Sequence, residues 1–557
     1  MRITDTSDLW WKNAVLYCLD VETFLDSDAD GQGDFQGLSQ RVDYLADLGV
    51  TCLWLMPFYP SPGVDDGYDI SDFYAVDPDL GTFGDFVEFI RMARDRGMRV
   101  IIDLVVNHTS DQHPWFQSAR ASRNSPYRDW YVWADEPPAD GPQGVTFPDK
   151  EVSLWQYDEV AGQYYLHRFY RSQPDLNVAN PKVRDEIAKI ILFWAALGVS
   201  GFRVDAVPFL IETLPSDKSQ IPDPHEFLRH LRSLLNRRTG EAILLGEVNL
   251  THEDQRKFFA SPEGGGQELT MQFDFIGMQA LYLAMARQDA SPLIRAIADR
   301  PPISVENQWA TFVRNHDELT LDKLTLGERE EVFRAFGPKP EMQLYGRGLR
   351  RRIPTMLKGD MQRIRMVYSL LLSLPGTPVL FYGEEIGMGE NLAEDGRLAV
   401  RTPMQWTPEP GGGFTTADPA AIVRPFPKGA WSPKRVNVAD QRDDPDSLYS
   451  FVRQLIRFYR ECPELGWGTF SALESPDAAV FAHRSDWEDR SVIAVHNLSP
   501  RAVTVTLTLD GVTKRTKLHD VLRPGITPVD AKGAFTMELD GYGYRWLRHQ
   551  PDGTLPI

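Results

Sequence analysis

Gly201-Phe-Arg-Val-Asp-Ala-Val207 decides how this 557-residue chain is read, because it is a short apolar strand carrying two opposite charges. Phe202, Val204 and Ala206 alternate with Arg203 and Asp205, and the two-residue period of a strand puts both charges on one face. Burying a carboxylate beside a guanidinium is costly unless both are paired, and the cation favours the ionised acid. Asp205 is therefore expected to stay charged and available as a nucleophile. A structural ion pair fits the same seven residues, so the rest of the chain has to decide.

Around this stretch the chain alternates strand and helix. Residues 14–17 and 52–57 are apolar strands, and Leu38, Val42, Leu45 and Leu48 recur at helical spacing between them. A helix over 83–96 precedes a strand over 99–106, and Val183, Ile187, Ile190, Ile191, Trp194 and Leu197 line a helix that Gly198 ends before the quoted strand. Further strands are predicted over 242–248, 269–275, 309–314 and 377–382, with helices over 224–238, 252–259, 361–374 and 448–460. Eight strands in this rhythm close a parallel (β/α)8 TIM barrel, an α/β fold whose sites gather at the carboxyl ends of the strands.

The rhythm lapses in two places. Residues 109–178, rich in Trp, Tyr, Pro and Asp, are too long and aromatic for a plain loop and read as a small inserted domain after strand three. Residues 466–557 change to short alternating runs, which read as a C-terminal antiparallel β-sandwich. The barrel itself is assigned to 1–108 and 179–465. Within it, the charged stretch 321–358, with R-G-L-R-R-R at Arg347 to Arg352, is expected to form a lid, a subunit contact or a solvated excursion.

Composition narrows the function. Asp plus Glu at 79 against Lys plus Arg at 59 gives a net charge of −20, which disfavours nucleic acid and anionic membranes as partners. No run of about 18 apolar residues occurs, and the polar amino-terminal stretch has no signal-like core, so a soluble, cytoplasmic protein is expected. Three cysteines are too few and too scattered for a disulfide framework or a thiolate metal site, and Cys18 and Cys52 read as small apolar fillers. A homo-oligomer is compatible with all of this.

Chemistry-bearing residues cluster at strand ends. Glu247 is the single acid of A-I-L-L-G-E-V, and apolar neighbours there would raise its pKa toward that of a general acid, although a carboxylate bonded to backbone fits as well. Asn107 and His108 end the third strand, and N-H-D-E, Asn315 to Glu318, ends the seventh. Two carboxylates flanking a bond, one ionised and one protonated, with a third acid nearby, suit glycosidic cleavage through an oxocarbenium-like transition state. Separately, Asp26, Asp28, Asp30 and Asp34, with the Gln32 carbonyl and Gly31, match the first nine positions of a calcium loop whose twelfth, Gly37, lacks the bidentate Glu. A structural divalent ion is expected there, a solvated acidic turn being the alternative.

Four ordered motifs carry a resemblance: D-L-V-V-N-H (Asp103 to His108), G-F-R-V-D-A-V, G-E-V-N (Gly246 to Asn249) and N-H-D (Asn315 to Asp317) resemble glycoside hydrolase family 13, the α-amylase family. The resemblance spans essentially the whole chain. It implies Asp205 as nucleophile, Glu247 as acid/base and Asp317 as the transition-state acid, with His108, Phe169, Arg203 and His316 around the sugar. Q-P-D-L-N, Gln173 to Asn177, is similar to the oligo-1,6-glucosidase and trehalose synthase branch, as are D-D-G-Y-D-I and V-R-T-P-M-Q-W. In that branch Asp69 pairs with Arg401 to block the site behind the first glucose, and Gln173 lies beside the substrate. The acidic loop then holds the family's calcium, a second calcium falls on Asn107, Asp175, Glu212 and the carbonyls of Phe209 and Leu210, and no organic cofactor is needed. The implied activity is retaining transfer of a glucosyl unit that interconverts maltose and trehalose, with some hydrolysis. An α-glucosidase or sucrose-type isomerase is the alternative, and a non-catalytic binding protein is disfavoured because all three acids are present. The chain departs from the branch at Tyr17 to Phe24, which lacks E-L-H-V-R-x-F, and at Glu384, which follows Gly383 where Asp is usual.

Overall fold

Eight parallel strands neighbour one another in chain order and close into a barrel, β1 pairing with both β2 and β8. They are β1 (Leu16–Leu19), β2 (Cys52–Leu55), β3 (Arg99–Leu104), β4 (Gly201–Val204), β5 (Ile243–Gly246), β6 (Met271–Phe273), β7 (Gln308–Phe312) and β8 (Thr377–Phe381). The computed structural model describes residues 9–136, 144–211, 223, 225–259, 267–511 and 516–549. The expected TIM barrel is the observed architecture. Its strands read as near-continuous apolar runs because side chains fill the barrel on one face and meet the helices on the other.

Where bounds differ, hydrogen bonding explains why. The first strand begins two residues later than its pattern, since the Val15 N–H is taken by the Thr51 hydroxyl rather than by a ladder partner. The strand expected over 269–275 shrinks to three residues: the Asp274 N–H still donates to the Ala310 carbonyl of β7 at 2.9 Å, but its side chain already caps the helix Phe275–Arg287, accepting from the Gly277 N–H. Barrel helices carry the caps their sequences call for: Thr82 and Asp85 form a capping box before Phe83–Asp95, and Asn180 with Pro181 opens Pro181–Ala196.

After β3 the inserted segment forms a helix, Pro114–Ala121, and an antiparallel sheet ordered Trp133–Ala134, Gln163–Leu166, Trp155–Asp158. The charged stretch after β7 is folded: a helix, Leu326–Phe336, and three short antiparallel strands, Leu319–Thr320, Gly348–Leu349 and Gln343–Leu344. It reaches across to the inserted segment, where Arg347 Nη2 donates to the Thr146 carbonyl at 2.8 Å and the Tyr345 ring lies 5.0 Å from that of Phe147. This stretch is thus a cover over the carboxyl end of the barrel.

Beyond the barrel a six-stranded and a two-stranded antiparallel sheet face each other, sharing a core that includes Ile493, Val495, Val505 and Phe535. Buried polar contacts join this sandwich to the barrel helices. Trp546 Nε1 donates to Ser369 Oγ at 3.0 Å, and Arg548 bridges both oxygens of Glu464 at 2.8 and 3.1 Å. Among the described residues no helix is long and apolar enough to cross a membrane. Because Glu464 is fully buried, Arg548→Ala leaves an unpaired charge inside the protein, and a loss of about 3 kcal/mol is expected. Calorimetry should show a lowered melting temperature; an unchanged one would mean the sandwich docks without this pair.

Candidate active site

Arg203, on β4, is the cation around which the site is built. Its Nη1 donates to Asp103 Oδ1 at 2.5 Å and to Asp205 Oδ1 at 2.6 Å, while Nη2 donates to Glu247 Oε2 at 2.6 Å. Parallel register sets Asp103 of β3 directly beside Arg203, and Trp54 of β2 donates to the other Asp103 oxygen at 2.8 Å. Asp205 and Glu247 lie just past the ends of β4 and β5. The chain turns away after Asp205 because Ala206 sits in the left-handed region at φ 48°, a costly conformation for a residue with a Cβ.

One cation facing three carboxylates leaves an excess of negative charge in a buried place, so the cluster must hold a proton. Burial pushes Glu247 up to about 8, against the pull of Arg203 and helped by Asp205 and Asp317. Burial also raises Asp205, to about 6, and Arg203 only partly offsets it. The expectation that the guanidinium alone fixes Asp205 as an anion is thereby corrected: burial outweighs it, yet the group remains ionised at neutral pH while Glu247 remains protonated. Arg203 holds Glu247 and Asp205 side by side, each 2.6 Å from one of its nitrogens. At 25% exposure the Glu247 side chain is the most open of the four groups.

Asp317 has the opposite environment. Burial would raise it, but His316, Arg397 and Arg401 hold it well below the usual carboxylate range. Arg397 Nη1 and Arg401 Nη2 reach its Oδ1 at 2.7 and 3.0 Å, and His316 Nε2 lies 3.1 Å from Oδ2. Burial lowers His316 to about 4, so the ring is neutral at pH 7. It stacks on Tyr68, whose hydroxyl is 2.6 Å from Nε2, and the Tyr68 carbonyl in turn accepts from His108 Nε2 at 3.1 Å.

These groups surround a cavity of about 540 Å³, lined by Asp205, Glu247, Asp317, His108, Phe169 and Phe147 among others. The other residues that the sequence assigned to the sugar stand further back. Arg203 lies beneath the acids, His316 behind Asp317, and Gln173 donates to Asp65 at 3.0 Å while accepting from the Tyr170 N–H. The pairing of Asp69 with Arg401 is not what forms. Asp69 instead accepts from the Val64 and Asp65 N–H groups and the Ser61 hydroxyl, all at 2.9 Å, and so closes its own turn. Arg401 pairs with Asp66 at 2.6 Å and donates to the His316 carbonyl at 2.9 Å.

The two expected metal sites differ. Asp26, Asp28 and Asp34 bring carboxylate oxygens within 4.8 Å of one another, whereas the expected ligands Asp30 and Gln32 are not part of that cluster. Three such charges repel unless a cation lies among them, and an all-oxygen set suits a hard divalent ion. The second set does not fit a metal. Asp175 is already matched by Arg168 Nη1 at 3.0 Å and accepts from Asn107 Nδ2 at 3.3 Å, so a guanidinium meets the charge a calcium would have met. Phe209 and Leu210 belong to the short helix Val207–Ile211, and Glu212 lies outside the described residues.

Sequence reasoning missed Asp65, Asp66, Asp103, Arg397 and Arg424. The first two stand in D-D-G-Y-D-I and Asp103 opens D-L-V-V-N-H, so motifs mark them, whereas Arg397, in the short 3-10 helix Gly396–Val400, and Arg424, in a loop, carry no local signal.

Comparison with known proteins places this geometry. Residues 21–332 and 349–468 match the α-amylase catalytic domain, and 490–548 match the C-terminal domain of sucrose hydrolase-like proteins. A trehalose synthase/amylase of Mycobacterium tuberculosis is 40% identical over 97% of this chain and 90% of its own length. A trehalose synthase of Thermus thermophilus is 41% identical over 98% of this chain and 56% of its own. The solved trehalulose synthase of Pseudomonas mesoacidophila superposes with a TM-score of 0.74 at 28% identity, covering 97% of this chain and 99% of its own.

Proposed function

The chain belongs to the α-amylase family, glycoside hydrolase family 13, and from that premise and the acid cluster we propose that it interconverts maltose and trehalose by intramolecular transfer of a glucosyl unit. The observation that carries the mechanism is the single guanidinium of Arg203 spanning Asp205 and Glu247, at 2.6 Å from each. Carboxyl groups this close leave no space for a water between them, as inversion requires, and suit retention through a covalent intermediate.

In this reading Glu247 gives its proton to the glycosidic oxygen of maltose while Asp205 attacks the anomeric carbon. The C–O bond to the leaving glucose breaks as the Asp205 ester forms. Positive charge developing on the ring is met by Asp317, the acid most firmly held as an anion. The released glucose turns within the covered cavity, Glu247 takes the proton of its C1 hydroxyl, and that oxygen displaces Asp205 to give trehalose. Water in place of the hydroxyl gives glucose, so hydrolysis accompanies transfer to the extent that the cover admits water. The bridge from Arg347 to Thr146 and the Tyr345–Phe147 contact support such a cover.

We further assign the acidic loop to calcium, with Asp26, Asp28 and Asp34 as its carboxylate ligands. There it would be structural, neutralising the loop. Chelation should then lower the melting temperature and calcium restore it, because an ion that binds only the folded chain stabilises it. An identical melting curve with and without chelator would remove the assignment.

Product analysis on maltose tests the activity. Trehalose should appear at early times, and glucose alone would favour an α-glucosidase instead. Asp205→Asn should reduce kcat by at least ~10³-fold while leaving the fold intact; near-normal turnover would place the nucleophile elsewhere.

The pH profile of kcat/KM should be a bell. Asp205 must be ionised, so activity falls below about 6, and Glu247 must be protonated, so it falls above about 8. Asp317, held far lower, contributes neither limb. A profile flat from pH 7 to 10 would contradict the proton on Glu247.

A further inference from the structure

On the face of the barrel opposite the acids lies a cavity of about 540 Å³ that shares no residue with the active site. Arg99 and Val100 at the start of β3 and Ser200 just before β4 line it, among the ends of the helices Phe83–Asp95, Pro181–Ala196 and Glu226–Arg238. Ser200 and Asp205 stand at the two ends of β4, so about 17 Å of extended chain separates this cavity from the reacting centre.

Its charge runs against that of the chain. Three arginines, Arg94, Arg99 and Arg238, line the cavity and no acidic residue does, although the protein carries a net charge of −20. Arg99 is spent on Glu241 at 2.5 Å. Among the described residues Arg94 and Arg238 meet no carboxylate, and the Ser200 and Thr239 hydroxyls make no hydrogen bond. Gly198, at φ 103°, makes room for Arg94, since a Cβ there would come within 2.7 Å of Arg94 Nη2. The rest of the wall is apolar, with Ile90, Met98 and Val199 buried.

Arg94 and Arg238 each stand in the last turn of a helix, where a cation also answers the partial charge of the final carbonyls. That charge is a fraction of a unit and its effect ends within the turn, so it does not cancel two whole guanidiniums. Helix ends, moreover, need no cavity of ligand size beside them. A phosphate ester does: it brings two negative charges to two unpaired guanidiniums, and its oxygens accept from both free hydroxyls. No aromatic ring lines the wall to stack a nucleobase, which favours a sugar as the body of the ester.

We propose that this cavity is a second ligand site that takes a small phosphorylated sugar, held through its phosphate by Arg94 and Arg238. The catalytic cavity, lined by Asp205, Glu247 and Asp317, disfavours the same ligand, so the two ends of the barrel select opposite charges.

Titration calorimetry with glucose 6-phosphate tests the site, with inorganic phosphate and glucose as the other arms. Glucose 6-phosphate should bind wild type with a Kd of about 1 mM or tighter. Arg94→Ala combined with Arg238→Ala should weaken it at least tenfold, and added salt should weaken it in wild type by screening both charges. Both side chains are exposed, so the double variant should fold, and its turnover of maltose should equal that of wild type. Absence of binding to wild type, or binding that the double variant retains, would overturn the site. Inorganic phosphate binding as tightly as the ester would overturn the sugar, and glucose binding as tightly would overturn the phosphate. A role confined to the helix ends predicts a lowered melting temperature in the double variant with no ester binding to either protein, and that result too would overturn the proposal.

Discussion

The site depends on one charge imbalance: a single buried guanidinium, Arg203, faces Asp103, Asp205 and Glu247. Three buried anions cannot share one cation without taking up a proton, because the Coulomb cost of the excess charge rises steeply where water is excluded. Geometry decides where the proton goes. Asp103 keeps Arg203 on one oxygen and Trp54 on the other, and Asp205 shares the same Nη1, while Glu247 stands at the open end. The same imbalance thus separates an ionised acid from a protonated one on a single guanidinium, which is the division of labour that acid-assisted displacement at an anomeric carbon needs.

The barrel makes the imbalance affordable only because other elements shut water out. The inserted segment and the folded stretch after β7 meet over the cavity through Arg347, Tyr345, Thr146 and Phe147, residues far apart in sequence. Transfer within a closed pocket and hydrolysis share every chemical step except the identity of the attacking hydroxyl. What separates them is therefore a property of this cover, not of the three acids, and the acids alone cannot specify the product.

How much of this the sequence disclosed follows from the range of each interaction. Arg203 and Asp205 are two residues apart on a strand, so their shared face was legible from periodicity, and the eight-strand rhythm came from the same short-range signal. The ladder ends were less legible: the Val15 N–H goes to a side chain and the Asp274 side chain to a helix cap, which compete with the apolar pattern. Long-range pairing was not legible. Asp65, Asp66 and Asp69 are equivalent acids in one turn, and only the fold reveals that Asp69 closes the turn while Asp66 takes Arg401 and Asp65 takes Arg397. The second calcium failed for a related reason, since Arg168 is adjacent to Asp175 only once the inserted segment has folded back.

Those pairings also connect the two ends of the barrel mouth. Asp317 is held by Arg401, Arg401 by Asp66, and Asp66 by Arg424, which also pairs with Glu22 at 2.5 Å. Arg424 belongs to a loop fastened to the acidic loop: the Asp26 N–H donates to the Phe414 carbonyl at 2.9 Å and the Val423 N–H to the Gly31 carbonyl at 2.9 Å. Close approach explains Gly31, whose φ of 100° and whose missing Cβ leave space for the Ala421 carbonyl. Disorder in the acidic loop would release Arg424 first, and Arg401 would lose its brace next. The ion proposed for that loop would therefore bear on the site through position alone, by keeping a row of alternating charges in line with Asp317, with no need to approach the sugar.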